Sequence, residues 1–356
     1  MATKKYLVKL TPYEKFFFGG ENTFGHGHQA NYLVKSQYFP QQTGVLGFIR
    51  HQLLLQSNDS IFKNNIIQDT NNATKLIGET GFKINRKFPY GAIKSLSPVF
   101  ISNGNEYFLP GNKEYQKYTK LDKNCNKIEI DIFLDLEKEG DNYTYKEYNP
   151  KFPILDLLIS KNNRKSYEDI FIEKKQVGIR KNYKGGSDDE AYYIQTFYGM
   201  KDGYSFAFIV ELEEKVEDID VNFSSQKLVV FGGEQQAFKM EVEEFKDSFN
   251  KLIPDYEPST HFNKFVLVSD AYVEENIMNE VDFANTETID FRFIKTDINE
   301  KNFYTKPDKS QKYNLYKKGS VFYFSTDEQK IKIKSLLKNE VLENLGYNHY
   351  KIINKK

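Results

Sequence analysis

The sequence predicts an α+β fold of two domains, with helices on one face of antiparallel sheets. Three observations carry this expectation. Short runs with strand character dominate the readable patterns. Amphipathic helical stretches are few and interrupt those runs. The length, 356 residues, corresponds to about two domains at roughly 150 residues each. The boundary is expected in the polar, two-proline stretch Lys146–Pro153, giving domains 1–150 and 151–356.

Taken in order, the chain opens on an alternating, strand-like run after Met1-Ala2-Thr3-Lys4-Lys5. The best helix runs from Gly44 to about Gln56. Thr43 is its expected N-cap, and Val45, Leu46, Ile49 and Leu53 form its apolar face. Residues 57–75 and 102–126 are rich in Asn, Lys, Asp and Ser without periodicity and read as loops. Ile128, Ile130, Ile132, Leu134 and Leu136 alternate with mostly acidic residues, the two-residue period of a strand. Ala191–Gly199 and Tyr204–Val210 read as a hairpin about Met200-Lys201-Asp202-Gly203. Lys227–Phe231 runs into Gly232-Gly233 and can return as Ala237–Val242. Lys264–Ser269 and Ser320–Ser325 are short strands. A second helix is expected from Asp327 to about Leu345, stopped by Gly346.

Composition narrows the class. The chain has 50 basic and 50 acidic side chains, so its formal net charge is zero. The average conceals blocks: residues 1–100 balance at +7, residues 201–300 at −14 and residues 301–356 at +8. Neutrality therefore excludes only indiscriminate binding to nucleic acid. The single cysteine, Cys125, rules out an internal disulfide and a CxxC zinc site. No apolar run approaches the roughly 18 residues of a membrane span, and no signal core opens the chain. A soluble cytoplasmic protein without cofactor or metal is expected. Nucleotide-binding P-loops, HExxH, GxSxG and dinucleotide fingerprints are all missing from the sequence.

Five segments can carry chemistry. The first is Thr11-Pro12 to Phe16-Phe17-Phe18-Gly19-Gly20, followed by His26 and His28, two residues apart but without an Asp, Glu or Cys partner for a metal. In the second, Phe39-Pro40-Gln41-Gln42-Thr43-Gly44 feeds a helix whose free N–H groups suit a phosphate, with Arg50 about two turns in. The third is Val177-Gly178-Ile179-Arg180-Lys181, and the fourth Phe231-Gly232-Gly233-Glu234. The fifth is Lys317-Lys318-Gly319-Ser320-Val321-Phe322, where cations and aromatics interleave as single-stranded nucleic acid requires. Read as an RNA site, Lys35, Arg50, Arg180, Lys181, Lys317 and Lys318 are the expected phosphate contacts. Phe39, Pro40 and Gln41 are placed to wedge or hydrogen-bond a splayed base, beside Thr43 at the helix start. Gly232, Gly233 and Gly319 offer bare backbone. The acidic middle is then left for protein partners or solvent.

In this order and spacing the five segments resemble the CRISPR RAMP proteins, and most closely the subunit-three family of the type III-B (Cmr) effector complex. The resemblance rests on Leu10-Thr11-Pro12 to Phe18, Phe39-Pro40 with Thr43-Gly44…Gly47…Arg50, Val177-Gly178-Ile179, Gly232-Gly233-Glu234, Gly319-Ser320-Val321-Phe322 and Gly346-Tyr347-Asn348. Two departures each lose an arginine. Phe18-Gly19-Gly20-Glu21 stands where an Arg-Asp-Gly-like turn is expected, and Gln235-Gln236 stands where Gly-Arg is expected. The resemblance implies two ferredoxin-like (RNA-recognition-motif-like) domains. It implies a non-catalytic subunit that holds the 5′ handle of the guide RNA (crRNA). It also implies docking to the large polymerase-like subunit and to the backbone RAMP subunit, with target RNA met only indirectly. The competing enzyme reading is a metal-independent RAMP endoribonuclease that processes crRNA precursor through His26 or His28. A purely protein-facing subunit is the third.

Overall fold

The computed structural model describes residues 2–19, 33–84, 90–121, 126–181, 187–296 and 308–356. His26 and His28, with Cys125, lie outside them. The chain divides into two compact units, each assembled from three stretches. The first holds Met1–Asn105, Glu168–Lys246 and Arg292–Gln311; the second holds Glu106–Tyr167, Asp247–Phe291 and Lys312–Lys356. The expected division at residue 150 does not describe these units, because the first strand takes both its partners from beyond residue 200. The presumed linker, Lys146–Pro153, lies wholly inside the second unit.

In the first unit the principal elements are β1 (Thr3–Pro12), β2 (Leu33–Lys35), α1 (Gln42–Leu55), α2 (Thr70–Ile77), β3 (Ile93–Leu96), β4 (Phe100–Ser102), β5 (Phe171–Lys181), β6 (Ser187–Met200), β7 (Ser205–Glu213), β8 (Gln226–Val230) and β9 (Ala237–Glu244). The main sheet runs β4-β7-β1-β9-β8, with β3 also on β7, and every pairing in it is antiparallel. β1 is central, with Leu7 opposite Ile209 on one side and Glu243 on the other. Val8 and Leu10 stand opposite Phe208 and Phe206, Leu7 stands opposite Ile209, and all of these are buried, as is Phe238. These rings dominate the core energetics, since each buries more apolar area than an aliphatic side chain.

A second sheet pairs β5 with β6, adds Lys15–Phe16 antiparallel and β2 parallel to β6. This corrects the expected hairpin of residues 191–199 with 204–210. β6 returns to β5, while β7 enters the main sheet beside β1. The reason is burial: almost every residue of Ser205–Glu213 is buried, which fits a strand covered on both faces and not one arm of an exposed hairpin.

In the second unit the principal elements are β10 (Asn263–Leu267), β11 (Phe283–Asn285), β12 (Val321–Phe324), α3 (Asp327–Leu337) and β13 (Tyr350–Ile353). The antiparallel sheet runs β11-β12-β10-β13. α3 covers one face, with Ile333 and Leu337 packed into a core with Phe265, Leu267, Phe322 and Phe324. Counting strands along the chain within each unit, β10 to β13 are arranged 2-3-1-4. The main sheet of the first unit has the same order, taking β1, β4, β7 and β9 as its four strands.

Several boundaries differ from expectation for local reasons. Gln41, not Thr43, is the N-cap of α1. The second helix ends at Leu337, where Lys338 turns extended, and Asn339 then caps a separate turn at Glu340–Glu343. Thr326 and Gln329 close a capping box that starts α3. The presumed loop 57–75 contains the start of α2, capped by Asp69. The presumed loop 102–126 contains strands Tyr107–Pro110 and Tyr115–Leu121. No helix among the described residues is long and apolar enough to cross a membrane.

Candidate nucleic-acid interface

Four of the five segments fall in the first unit, and three of them meet there. Phe231, at the end of β8, packs its ring against Phe18 at 5.4 Å and Phe48 of α1 at 5.0 Å. It also lies 4.0 Å from where a Cβ on Gly44 would sit. Gly233 donates its N–H to the carbonyl of Phe17 at 2.8 Å. A Cβ on Gly232 would come within 2.9 Å of that same oxygen, and φ there is +84°. These two glycines are required by the approach of the loop to Phe17, and both remain exposed.

α1 buries Val45, Leu46, Phe48, Ile49, Leu53 and Leu54. Gly44 and Gly47 lie on its exposed side, three residues apart and therefore on one face. A Cβ on Gly47 would meet nothing within 4 Å. The helix start is thus slim toward solvent, and among the described residues no neighbour requires it.

Alternation on the β5–β6 hairpin sorts its two faces. One face turns inward at its base, where Phe16, Phe171, Tyr198 and Phe206 form an aromatic cluster with ring centroids 5.1–6.4 Å apart. The other face carries Lys174, Gln176, Tyr193 and Phe197. Lys15 sits with its ammonium 4.0 Å over the Phe197 ring and donates to the side-chain oxygen of Gln176. Phe17 meets Phe197 edge-on at 5.5 Å. Gly178 pairs with Tyr193, whose ring occupies the space a Cβ would need. Lys15, the half-exposed Phe17 and the bare backbone at Gly232-Gly233 therefore adjoin one another, with the buried Phe197 ring beneath Lys15 and the half-exposed Tyr193 further along the same face. Such a surface offers stacking faces and phosphate neutralisation together.

The sequence-derived candidates are distributed differently. Phe39 and Pro40 are buried, Phe39 against Phe171 and Phe206, so neither is presented to a base. Gln41 and Thr43 are half-buried at the start of α1. Arg50 donates from Nε to the carbonyl of Ile77 at 2.9 Å and from Nη2 to that of Gly78 at 3.3 Å, neutralising the C-terminal end of α2. Lys35, on β2 beside β6, pairs with Glu173 of β5 at 3.4 Å. Arg180 and Lys181 end β5, and their side chains lie outside the described residues.

Lys317, Lys318 and Gly319 belong to the second unit. Lys317 bonds Glu287 at 2.9 Å and Asp156 at 3.2 Å, and both carboxylates also bind Lys113. Burial raises the Asp156 carboxyl, but Lys317 and Lys113 outweigh it and hold the group below the usual range. Burial brings the Lys318 ammonium down to about 8. Gly319, at φ +86°, lets the chain pass Gly111, whose oxygen would lie 2.5 Å from a Cβ. Here Lys317 is held by carboxylates of its own unit, and the Lys318 backbone N–H donates to Asp270 at 2.8 Å.

The wider charge pattern behaves the same way. Lys4 and Lys9 of β1 pair with Glu214 and Glu243. In the second unit Lys312, Lys332, Lys351 and Lys356 pair with Asp290, Glu280, Asp255 and Glu257. The basic ends and the acidic middle neutralise one another. Sequence reading missed Lys15, Phe17, Lys174 and Tyr193. Lys15 and Phe17 stood inside the first segment, and a correct partner for β6 would have revealed the others. Among the described residues no cluster of histidine, cysteine or carboxylate side chains is arranged to hold a metal.

A model of the CRISPR-associated protein (Cas_Cmr3) family matches residues 8–355. The chain belongs to the Cas_Cmr3 family. No curated protein matches it in sequence. Among solved structures, it is similar to a chain in a cryo-EM structure of the type III-B Cmr-beta bound to cognate target RNA, 14% identical over 99% of each chain with a TM-score of 0.50. A chain from the Cmr-beta bound to target RNA and AMPPnP, state 1, matches at 14% identity over 99% of each chain with a TM-score of 0.48. At this identity the first likeness is one of fold, and it spans the Cas_Cmr3 chain from end to end.

Proposed function

We propose that this Cas_Cmr3 protein is a non-catalytic RNA-binding subunit of a type III-B Cmr effector complex, holding the 5′ handle of the crRNA on its first unit. It docks the large polymerase-like subunit to the RAMP backbone, and each of its units is ferredoxin-like. Family membership supports the assembly. The shared 2-3-1-4 strand order supports the fold assignment.

The observation that carries the RNA reading is the junction of Lys15, Phe17 and Phe197 with the exposed backbone of Gly232-Gly233. Single-stranded RNA is recognised on its unstacked bases, which need flat apolar faces beside cations. The test is to purify the chain with its complex from native cells and sequence the small RNAs that accompany it. RNAs sharing one 5′ end, lost with Lys15→Ala/Lys174→Ala, support the reading. RNAs of random ends, or an unchanged yield in the double variant, would overturn it.

A further inference from the structure

The tip of the β8–β9 hairpin is built against its own backbone preference. Glu234 has φ 57° and ψ 23°, and Gln235 has φ 50°. Two successive left-handed residues are what a type I′ turn requires, and Asn-Gly is the pair that adopts them at least cost. A Cβ-bearing residue longer than Asn is strained there. The turn is nonetheless well held: Phe231 N–H donates to the Gln236 carbonyl at 3.0 Å, Gly233 N–H to Phe17, and the Gln236 amide to the Glu234 carbonyl at 3.1 Å. Glu234 and Gln235 are exposed, and neither side chain has a partner among the described residues. The fold gains nothing from these two side chains and bears their strain. A carboxylate at the tip also repels phosphate, so the Glu234 side chain is not itself a phosphate contact.

We infer that Glu234 reads a base: its carboxylate accepts two hydrogen bonds from the Watson–Crick edge of an unstacked guanine. Guanine alone among the four bases presents two adjacent donors on that edge, N1–H and N2–H, matching the two oxygens of one carboxylate. Adenine and cytosine each present a single amino donor beside an acceptor, which the carboxylate repels. The turn holds Glu234 directly after Gly233, against which the half-exposed Phe17 ring lies. This inference rests on the proposed RNA-holding role of the same surface.

The test uses the full chain and four octamer RNAs: oligouridylate, and the same with one central guanosine, inosine or adenosine. Wild type is expected to bind the guanosine probe about tenfold or more tighter than the adenosine probe. Inosine, which lacks the 2-amino group, falls between. Glu234→Gln is expected to abolish the preference while leaving oligouridylate binding unchanged. Glu234→Asn/Gln235→Gly, which relaxes the turn, raises the melting temperature yet also loses it. Equal affinity of wild type for guanosine and adenosine, or a preference retained in Glu234→Gln, overturns the inference. Oligouridylate binding that still depends on Lys15 and Lys174 leaves the RNA-holding role standing in that case. Binding of none of the probes overturns both.

Discussion

Lys264 and Glu114 form an ion pair in which neither side chain reaches solvent, with the ammonium 2.7 Å from each carboxylate oxygen. Tyr323 and Asn112 donate to the same carboxylate, and Tyr145 bonds Tyr323 at 3.2 Å. Burial lowers the Lys264 pKa while Glu114 opposes it. The pair joins the 106–167 segment to β10 inside the second unit. Removing one partner leaves an uncompensated buried charge. Lys264→Met is expected to destabilise the chain by about 3–5 kcal/mol, and Lys264→Met/Glu114→Leu by much less. Urea unfolding at neutral pH measures both; equal losses in the two variants contradict this account.

Gly44 and Gly47 offer a separation of stability from binding. A helix interior glycine costs roughly 0.5–1 kcal/mol relative to alanine. Open space surrounds Gly47. Gly47→Ala is therefore expected to raise the melting temperature by a few degrees. If the slim face of α1 meets RNA, the same variant binds handle-bearing RNA more weakly. A stabilised variant with unchanged binding would remove α1 from the interface.

The two groups of lysines should respond differently to truncation. Lys15→Ala and Lys174→Ala are each expected to reduce the salt dependence of RNA binding by about one unit of slope. Lys317→Ala is expected to act on folding, since it leaves Asp156 and Glu287 with one cation, Lys113, between them. Binding isotherms from about 50 to 200 mM salt, beside thermal melts, distinguish the two effects.

Lys318 gives a pH signature of known sign. Its folded pKa near 8 lies below the usual lysine value, so the unfolded chain binds more protons between about pH 8 and 10.4. Stability at this site therefore rises with pH across that window, and its cost is fully present below it. Lys318→Met is expected to be more stable than wild type at pH 7, with the difference shrinking toward pH 10. A difference independent of pH would contradict the lowered pKa.

Gly319 tests the close passage of two segments in the second unit. With φ at +86° and the Gly111 oxygen 2.5 Å from a would-be Cβ, Gly319→Ala pairs backbone strain with a clash. A loss of about 2–3 kcal/mol is expected, read by chemical denaturation.

Much of the local structure was legible from residues alone. The Gln226–Val230 and Ala237–Glu244 pair was readable because both strands flank a Gly-Gly turn. The main apolar positions of α1 were readable from their spacing. Phe39 was legible as a motif residue but not as a core residue, because its ring faces Phe171 and Phe206, more than 130 positions away. Lys174 and Tyr193 were invisible as site residues because their face depends on the β5–β6 register, where a slip of one residue reverses every side chain.

The sequence by itself determined the α+β class, the order of the motif segments, the family pattern they compose, and the size of the charge blocks. The tertiary structure decided what those charges do. Antiparallel register sets Lys9 of β1 on Glu243 of β9. Close packing in the second unit sets Lys317 between Asp156 and Glu287. Coulomb attraction depends on distance and solvent exposure, not on separation along the chain. So the basic ends that look like an RNA footprint in one dimension are largely held by the acidic middle in three. Among the described residues Lys15, over the Phe197 ring, and Lys174, paired across the hairpin with Phe197, form no ion pair with a carboxylate.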